Sequence, residues 1–157
     1  MTAASLEIRL AHPDDAAAIA ALVCALASYA LADPSRPEDA ADFFAGITET
    51  SFDALLRDPR FRFHVAVDHD ELVAIVAMRD DTHLYHLFVA EDRHGQGLGK
   101  RLWHVAKDDT MARGHDGPFT VNASLWAVPV YERFGFVPTD TVQTANGVAF
   151  VPMILPS

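Results

Sequence analysis

The sequence predicts an α/β (α+β) fold built on a mixed, mostly antiparallel sheet. Between residues 63 and 89, short runs rich in β-branched and aromatic residues are separated by turn residues, as in antiparallel hairpins. Segments before and after these runs place apolar residues at helical spacing. The elements follow the order strand, helices, three strands, helix, strand, helix, two strands, which differs from the regular alternation of a doubly wound sheet.

The first sixty residues are predicted to form one strand and several helices. In the strand, Leu6, Ile8 and Leu10 alternate with polar residues, so the strand is half-buried. The predicted helices cover Pro13–Ser28, Glu38–Gly46 and Ser51–Leu56, with a break at Asp33–Pro37. The only cysteine, Cys24, lies in an apolar run of the first helix and is expected to be a buried core residue. A single cysteine gives no disulfide framework.

After residue 60, strands predominate around one long helix. The predicted strands are Phe63–Val67, Leu72–Met78, Leu84–Val89, Phe119–Val121, a strand from Phe136, and Val148–Ile154. The long helix runs from Leu98 to about Arg113, and a short helix covers Val130–Arg133. An Asn146-Gly147 turn leads into the last strand.

Length and composition bound the class of protein. The chain has 157 residues, of which half are apolar, so we expect one globular domain over residues 1–157. The formal net charge of -10 argues against nucleic acid and favours a cationic partner such as an amine. We expect no signal sequence and no apolar run of about 20 residues that would span a bilayer. These features predict a cytoplasmic protein without a membrane partner, and assembly as a homodimer remains open.

Three glycines occur within five residues, directly after a predicted strand and before the long helix. Gly95, Gly97 and Gly99 have no side chains, so a ligand can approach the backbone closely. The first amides of the helix have no partner inside it, and the helix dipole adds partial positive charge there. Residues 93–113 carry a net charge of +3, while the remainder carries -13. This pattern favours a phosphate-bearing ligand, although the same glycines would also suit a plain turn.

Two other nucleotide-binding loops are excluded by spacing. A Walker A loop needs Ser or Thr after Gly-Lys and an earlier glycine, but Arg101 follows Lys100 and His94 occupies the earlier place. A Rossmann fingerprint needs its third glycine where Lys100 stands, and it needs βαβ order from the start.

Two blocks of the sequence resemble the GNAT superfamily of N-acetyltransferases. His94-Gly95-Gln96-Gly97-Leu98-Gly99 is similar to its acetyl-CoA signature, in which Arg or Gln is followed by two residues, Gly, one residue, and Gly or Ala. His94 stands at the Arg or Gln place, directly after Arg93. The block 121–136 is similar to the later signature, with Asn or Ser, then Ala, Tyr-Glu, an apolar residue and Gly-Phe. The resemblance covers residues 63–136 well.

This resemblance implies a fold and a cofactor site. The fold has a mixed sheet of about six to seven strands, helices on both faces and a splayed central strand pair. The acetyl-CoA pyrophosphate would be held by the turn and the helix start, at His94, Gly95, Gln96, Gly97, Leu98, Gly99 and Lys100. The pantetheine would bond the backbone of Leu87 and Val89, with an oxyanion donor near Phe88 or Val89. Asn122 and Ser124 would bond the pantetheine or the loop that carries it.

The resemblance also implies transfer of an acetyl group to a primary amine of a small molecule or peptide. Tyr131 matches the family's general acid. His83 lies six residues before Val89 and is therefore expected on the same strand face as Tyr85, Leu87 and Val89. An imidazole pKa of about 6.5 suits the role of general base, directly or through water. His86 is expected on the opposite face, so His83 and His86 would not share a metal ion, and no metal is expected.

Two alternatives from other classes remain open. A non-catalytic acyl-CoA-binding module would bind the cofactor without turnover. An interaction domain in which residues 95–99 form only a turn would have no affinity for CoA. The acceptor is also open, since protein N-termini, polyamines, aminoglycosides and amino acids all carry suitable amines. Its pocket is expected near Tyr29, Phe43 and the loop before Leu72.

Overall fold

A computed structural model describes residues 6–156 of the chain. Their strands form one eight-stranded sheet in the order β1-β2-β3-β4-β5-β8-β6, with β7 also paired to β8. The strands are β1 Leu6–Leu10, β2 Phe61–Asp68, β3 Glu71–Arg79, β4 His83–Val89, β5 Phe119–Ser124, β6 Val137–Pro138, β7 Gln143–Ala145 and β8 Val148–Leu155. All neighbouring strands are antiparallel except β4 and β5, which confirms the predicted mixed, mostly antiparallel sheet.

Five α-helices lie in the described part of the chain. They are α1 Ala16–Leu26, α2 Ala41–Ala45, α3 Glu49–Arg57, α4 Leu98–Ala112 and α5 Val128–Arg133. Turns of 3₁₀ helix flank α1 and precede α2, within the segments that were predicted as plain helices. The Thr48 side chain accepts a hydrogen bond from the Ser51 amide and so caps the start of α3.

The number of strands and the position of the cysteine differ from the sequence-based prediction. The sheet has eight strands rather than six or seven, because the short pairs β6 and β7 both hydrogen-bond to the long strand β8. Such two- and three-residue strands have no periodicity that a sequence can show. Cys24 is exposed rather than buried. The buried stripe of α1 runs through Ile19, Val23 and Leu26, and Cys24 lies beside it on the helix.

The sheet has a separate apolar core on each face. On one face, α4 and α5 pack over the sheet, and the fully buried side chains include Leu102, Trp103 and Phe136. On the other face, α1 and α3 cover β2 and β3, with Ile19 and Phe52 at the centre. Helices on both faces were predicted, and the structure confirms them.

Strand β4 contains a bulge that reverses its side-chain alternation. Opposite β4, Ala77 pairs with His86 while Met78 pairs with Leu84, so Tyr85 is the extra residue. Tyr85 and His86 therefore both lie on the α1 face, and Leu84 lies on the α4 face.

Strands β4 and β5 separate beyond this bulge. They pair in parallel only at His83 with Thr120 and at Leu84 with Val121. The rest of β4 has no partner on that side, which leaves a cleft between the two strands. This confirms the predicted splayed central pair.

One helical segment, Pro13–Ala30, is long and apolar enough by length and composition to cross a membrane. This departs from the expectation that no apolar run approaches that length. The segment comprises α1 with its flanking 3₁₀ turns, and its inner side chains pack against β2 and β3. A core helix of a globular protein passes the same criterion, so the segment alone does not indicate a membrane span.

Candidate active site

The glycine turn forms a cradle of backbone amides at the start of α4. Gly95 and Gly97 have φ angles of 77° and 78°, in the left-handed region that favours glycine. Gly97 is the N-cap of α4, and the first hydrogen bond of the helix runs from the Arg101 amide to the Gly97 carbonyl. The three amides before Arg101 therefore have no partner inside the helix. They can donate to an anion, as the sequence predicted.

A cavity of about 510 Å³ opens beside this cradle, and we call it the cofactor cavity. It is lined by Leu87, Val89, Arg93, His94, Gly95, Gly97, Leu98, Gly99, Lys100, Trp126, Ala127, Val130, Tyr131, Arg133 and Phe134. The lining joins the splayed edge of β4, the glycine turn, the start of α4 and the helix α5. Its mixture of apolar walls and amide donors suits a thioester cofactor with a pyrophosphate.

Eight of the twelve predicted cofactor contacts line this cavity. The other four are Phe88, Gln96, Asn122 and Ser124. The Phe88 side chain packs on the α1 face, and the Gln96 amide donates to the Asp92 carbonyl at 3.3 Å. Asn122 is exposed on the α1 face, whereas the Ser124 hydroxyl accepts from the Ala127 amide at 3.3 Å. These four cofactor contacts stay predictions.

His94 does not extend into open solvent. Its Nε2 lies 2.7 Å from the carbonyl oxygen of Val89, which ties the glycine turn to the end of β4. Arg93, which precedes it, donates to Asp68 at 2.6 Å and lies on the same wall of the cavity. Both side chains therefore form part of the wall of the cofactor cavity.

Tyr131 lies on the α5 wall of the cofactor cavity. Only 5% of the residue is exposed, and its ring packs edge-on against Phe134 and Phe136. Among the described residues nothing accepts a hydrogen bond from its hydroxyl. Burial raises the pKa of the Tyr131 phenol above its ordinary value, so the group stays protonated at neutral pH.

His83 lies on the face opposite to the one expected. Because of the bulge at Tyr85, His83 shares the α1 face with Tyr85, while Leu87 and Val89 point to the α4 face. The expectation that all four share one face is therefore wrong, since it assumed regular alternation. The same bulge brings His86 to the α1 face as well, together with His83 rather than opposite to it.

The His83 ring is held by its neighbour across the parallel pair. Its Nδ1 lies 2.8 Å from the hydroxyl oxygen of Thr120, which leaves Nε2 available. Burial, and next the nearby Arg79 guanidinium, lower the pKa of His83, so the imidazole is neutral at pH 7. His83 does not line the cofactor cavity but lies where the α1 face of β4 begins.

Sequence reasoning missed several residues at the cavity. Trp126, Val130 and Arg133 were not singled out, yet all three line it. Trp126 is 51% exposed, and its ring centroid lies 4.8 Å from that of Tyr29 and 5.3 Å from that of His94. A tryptophan inside the second sequence block could have indicated a functional residue. Its ring partners could not have been predicted, because they come from distant segments. No group of His, Cys, Asp and Glu in residues 6–156 could hold a metal ion.

Comparison with known proteins gives a consistent family. The family model described as "Acetyltransferase (GNAT) domain" matches residues 31–156. No curated protein sequence matches the chain.

Solved structures with this fold cover nearly the whole chain. A GCN5-related N-acetyltransferase from Rhodopseudomonas palustris is 24% identical with a TM-score of 0.77, covering 96% of this chain and 94% of its own. PaiA N-acetyltransferase from Thermoplasma acidophilum, in complex with coenzyme A, is 14% identical with a TM-score of 0.73, covering 95% and 98%. A spermidine N-acetyltransferase from Vibrio cholerae is 15% identical with a TM-score of 0.65, covering 96% and 93%.

Proposed function

Because the chain belongs to the GNAT family of acetyltransferases, we propose that it moves an acetyl group from acetyl-CoA to a primary amine. The observation that carries this proposal is one cavity lined together by the amide cradle, the free edge of β4 and Tyr131. We also propose that residues 1–157 form a single catalytic domain, which is supported by the one sheet that both cores share.

The cradle fits the cofactor's pyrophosphate. A side chain at Gly97 would begin at a Cβ that meets no atom within 4 Å, so this place is open for a ligand. Lys100 and Arg133 add positive charge to the cavity wall in a chain of net charge -10. Bound acetyl-CoA would supply an activated acetyl group as a thioester, held along the backbone of Leu87 and Val89.

Two side chains are proposed to transfer protons during the reaction. An alkylammonium with a pKa near 10 is neutral in about one molecule in a thousand at pH 7, so a base is needed. His83 Nε2 would take this proton, directly or through water, because Thr120 occupies Nδ1. Tyr131 would donate from its phenol to the departing sulfur, since burial keeps that phenol protonated.

Negative charge that develops on the acyl oxygen needs a fixed donor. The backbone amide near Phe88 or Val89 is proposed for this role, because the free edge of β4 faces the cleft. Such a donor needs no reorganisation during the reaction.

The acceptor would approach from the α1 face of the sheet. We propose that Tyr29, in the 3₁₀ turn after α1, and Phe43 of α2 line its path; the Tyr29 hydroxyl donates to Glu91 at 2.5 Å. The negative net charge outside residues 93–113 supports a cationic acceptor. One similar structure is a spermidine N-acetyltransferase, which also supports an amine.

A non-catalytic acyl-CoA-binding module is the second candidate. The observation that favours it is the place of His83, which lies outside the lining of the cofactor cavity. A module of this kind would use the amide cradle and leave both proton-transfer groups without a role.

The first experiment is calorimetric titration with acetyl-CoA, followed by an assay of CoA release with a panel of amines. The panel contains a polyamine, an aminoglycoside, an amino acid and a peptide with a free N-terminus. Binding together with amine-dependent release supports the acetyltransferase. Binding without release by any amine supports the module, and no binding at all contradicts both.

A further inference from the structure

The chain between α1 and α2, residues 27–40, crosses the open end of the cleft between β4 and β5, and we call it the strap. The Tyr29 hydroxyl donates to Glu91, which follows β4, at 2.5 Å. The Tyr29 ring centroid lies 4.8 Å from that of Trp126, which follows β5. Since β4 and β5 separate toward these ends, one residue of the strap contacts both sides of the cleft.

A second part of the strap is held by the turn between β7 and β8. The buried residue Leu31 forms an antiparallel bridge with Val148, and the Ala32 amide donates to the Gly147 carbonyl at 2.9 Å. Strand β8 begins at this turn and runs antiparallel to β5. The turn therefore lies at the same end of the sheet as Trp126, and it holds the strap beside the open end of the cleft.

The missing side chain of Gly147 leaves room for the strap backbone. A Cβ at Gly147 would lie 2.4 Å from the Asp39 carbonyl oxygen and 2.7 Å from the Ala40 amide nitrogen. An ordinary contact of a Cβ begins at 3.4 Å, and backbone atoms cannot turn away as a flexible side chain does. Any side chain at Gly147 would therefore displace the strap by about 1 Å.

The position of Ala40 determines where α2 begins. Ala40 is fully buried and is the N-cap residue of α2. Helix α2 carries Phe43, which together with Tyr29 is proposed to line the path of the acceptor. A displacement of the strap at Ala40 would therefore move one wall of that path.

We propose that Gly147 is a positioning residue for the acceptor, because it lets the turn between β7 and β8 hold the strap and α2 at the acceptor pocket. Neither Gly147 nor any residue of the strap lines the cofactor cavity. Acetyl-CoA binding should therefore not depend on Gly147. This inference rests on the proposed function, since it concerns the site of the amine.

The test compares Gly147→Ala with Gly114→Ala. Both glycines have a positive φ, 76° and 94°, but a Cβ at Gly114 meets no atom within 4 Å. The control therefore introduces left-handed alanine without displacing the strap. We expect Gly147→Ala to raise the KM for the best amine at least about 10-fold, because a displacement of about 1 Å can cost up to about 100-fold. Its kcat and its Kd for acetyl-CoA should stay within a few-fold of the wild type.

Hydrogen–deuterium exchange measures the strap without any turnover. Gly147→Ala should exchange faster than the wild type in peptides that cover residues 27–40, and at the same rate in peptides that cover α4. If Gly147→Ala does not fold, Leu31→Ala weakens the same anchor by removing a buried side chain. It should also raise the KM and accelerate exchange in the strap.

Four outcomes would overturn the proposal. Unchanged exchange over residues 27–40 would mean that the turn does not hold the strap, and an unchanged KM despite faster exchange would mean that the strap does not border the acceptor. An equal rise of KM in Gly114→Ala would mean that backbone strain is responsible. A loss of acetyl-CoA affinity as large as the rise in KM would assign the strap to the cofactor. Failure of the wild type to release CoA with any amine would refute the proposed function itself, whereas exchange would still show whether the turn holds the strap.

Discussion

The two faces of strand β4 are proposed to bind different ligands, the cofactor and the acceptor, by different means. On the α4 face, the cofactor cavity is built from consecutive residues that present backbone amides and glycines, followed by one short helix with Tyr131. On the proposed acceptor side, His83 at the start of β4 contacts Thr120 of β5, while Tyr29 donates to Glu91 beyond the other end of β4. A site built from backbone amides is encoded by a short sequence motif. A site built from side chains of separate elements has almost no such motif.

The largest expected effect separates catalysis from binding on the α4 face. Tyr131→Phe should lower kcat at least about 100-fold, as for loss of a general acid, while the Kd for acetyl-CoA stays within a few-fold. Steady-state kinetics and calorimetry measure the two quantities. Tyr85→Phe, which removes a hydroxyl on the other face, is the control and should retain activity. Full activity in Tyr131→Phe would contradict the acid role.

The next effect tests the backbone cradle itself. Gly97→Ala should weaken acetyl-CoA binding about 10- to 100-fold, because lost hydrogen bonds to a charged group cost roughly 1.5 to 3 kcal/mol. Gly114→Ala is the matched control, since Gly114 also has a positive φ and open space around its Cβ but lies at the far end of α4. Similar losses in both variants would mean that backbone strain, and not the cradle, is responsible.

A smaller effect tests the α1 face through its pH dependence. The lowered pKa of His83 predicts that kcat falls only below about pH 6.5, where the imidazole becomes protonated. His83→Gln should remove this acidic limb, and the exposed His104→Gln should keep it.

Thr120 should act only through the His83 ring. Thr120→Val should lower kcat a few-fold and displace the acidic limb, while Thr120→Ser should restore it, because only the serine keeps the hydroxyl. If His83→Gln has a large effect and Thr120→Val none, the base role stands but the orienting role fails.

The smallest effect concerns the interior of the α1 face. Burial among Phe52, Phe63 and Phe88 lowers the pKa of His86 to about 4. His86 is therefore protonated at a lower pH in the folded state than in the unfolded chain. As a result, the free energy of unfolding decreases as the pH falls below 6.5. We expect the free energy of unfolding to fall by about 1 kcal/mol between pH 7 and pH 5.5 from this group. Urea titrations should show a smaller decrease in His86→Phe, and an unchanged decrease would exclude His86 as the source.

The fold followed from local patterns over most of the chain. The hairpin of β2 and β3, the helix α4 and the Asn146-Gly147 turn were predicted near their observed places, because each depends on neighbouring residues. Eight of the predicted cofactor contacts also line one cavity, although their contacts with the cofactor stay predictions. The side chains of Trp126 and Arg133 could not be placed, since their role depends on how α5 and its preceding loop pack beside β4.

The family, the order of the elements along the chain and the glycine turn at the start of α4 were all evident from local sequence, because glycine spacing, a helix start and strand periodicity are local properties of the chain. Tertiary structure alone decided the face on which His83 lies, since the bulge at Tyr85 arises from pairing with β3. It also decided which side chains meet at the cofactor cavity. Contacts between distant segments depend on packing. A shift of one residue in strand register moves a side chain from the cofactor face of the sheet to the proposed acceptor face.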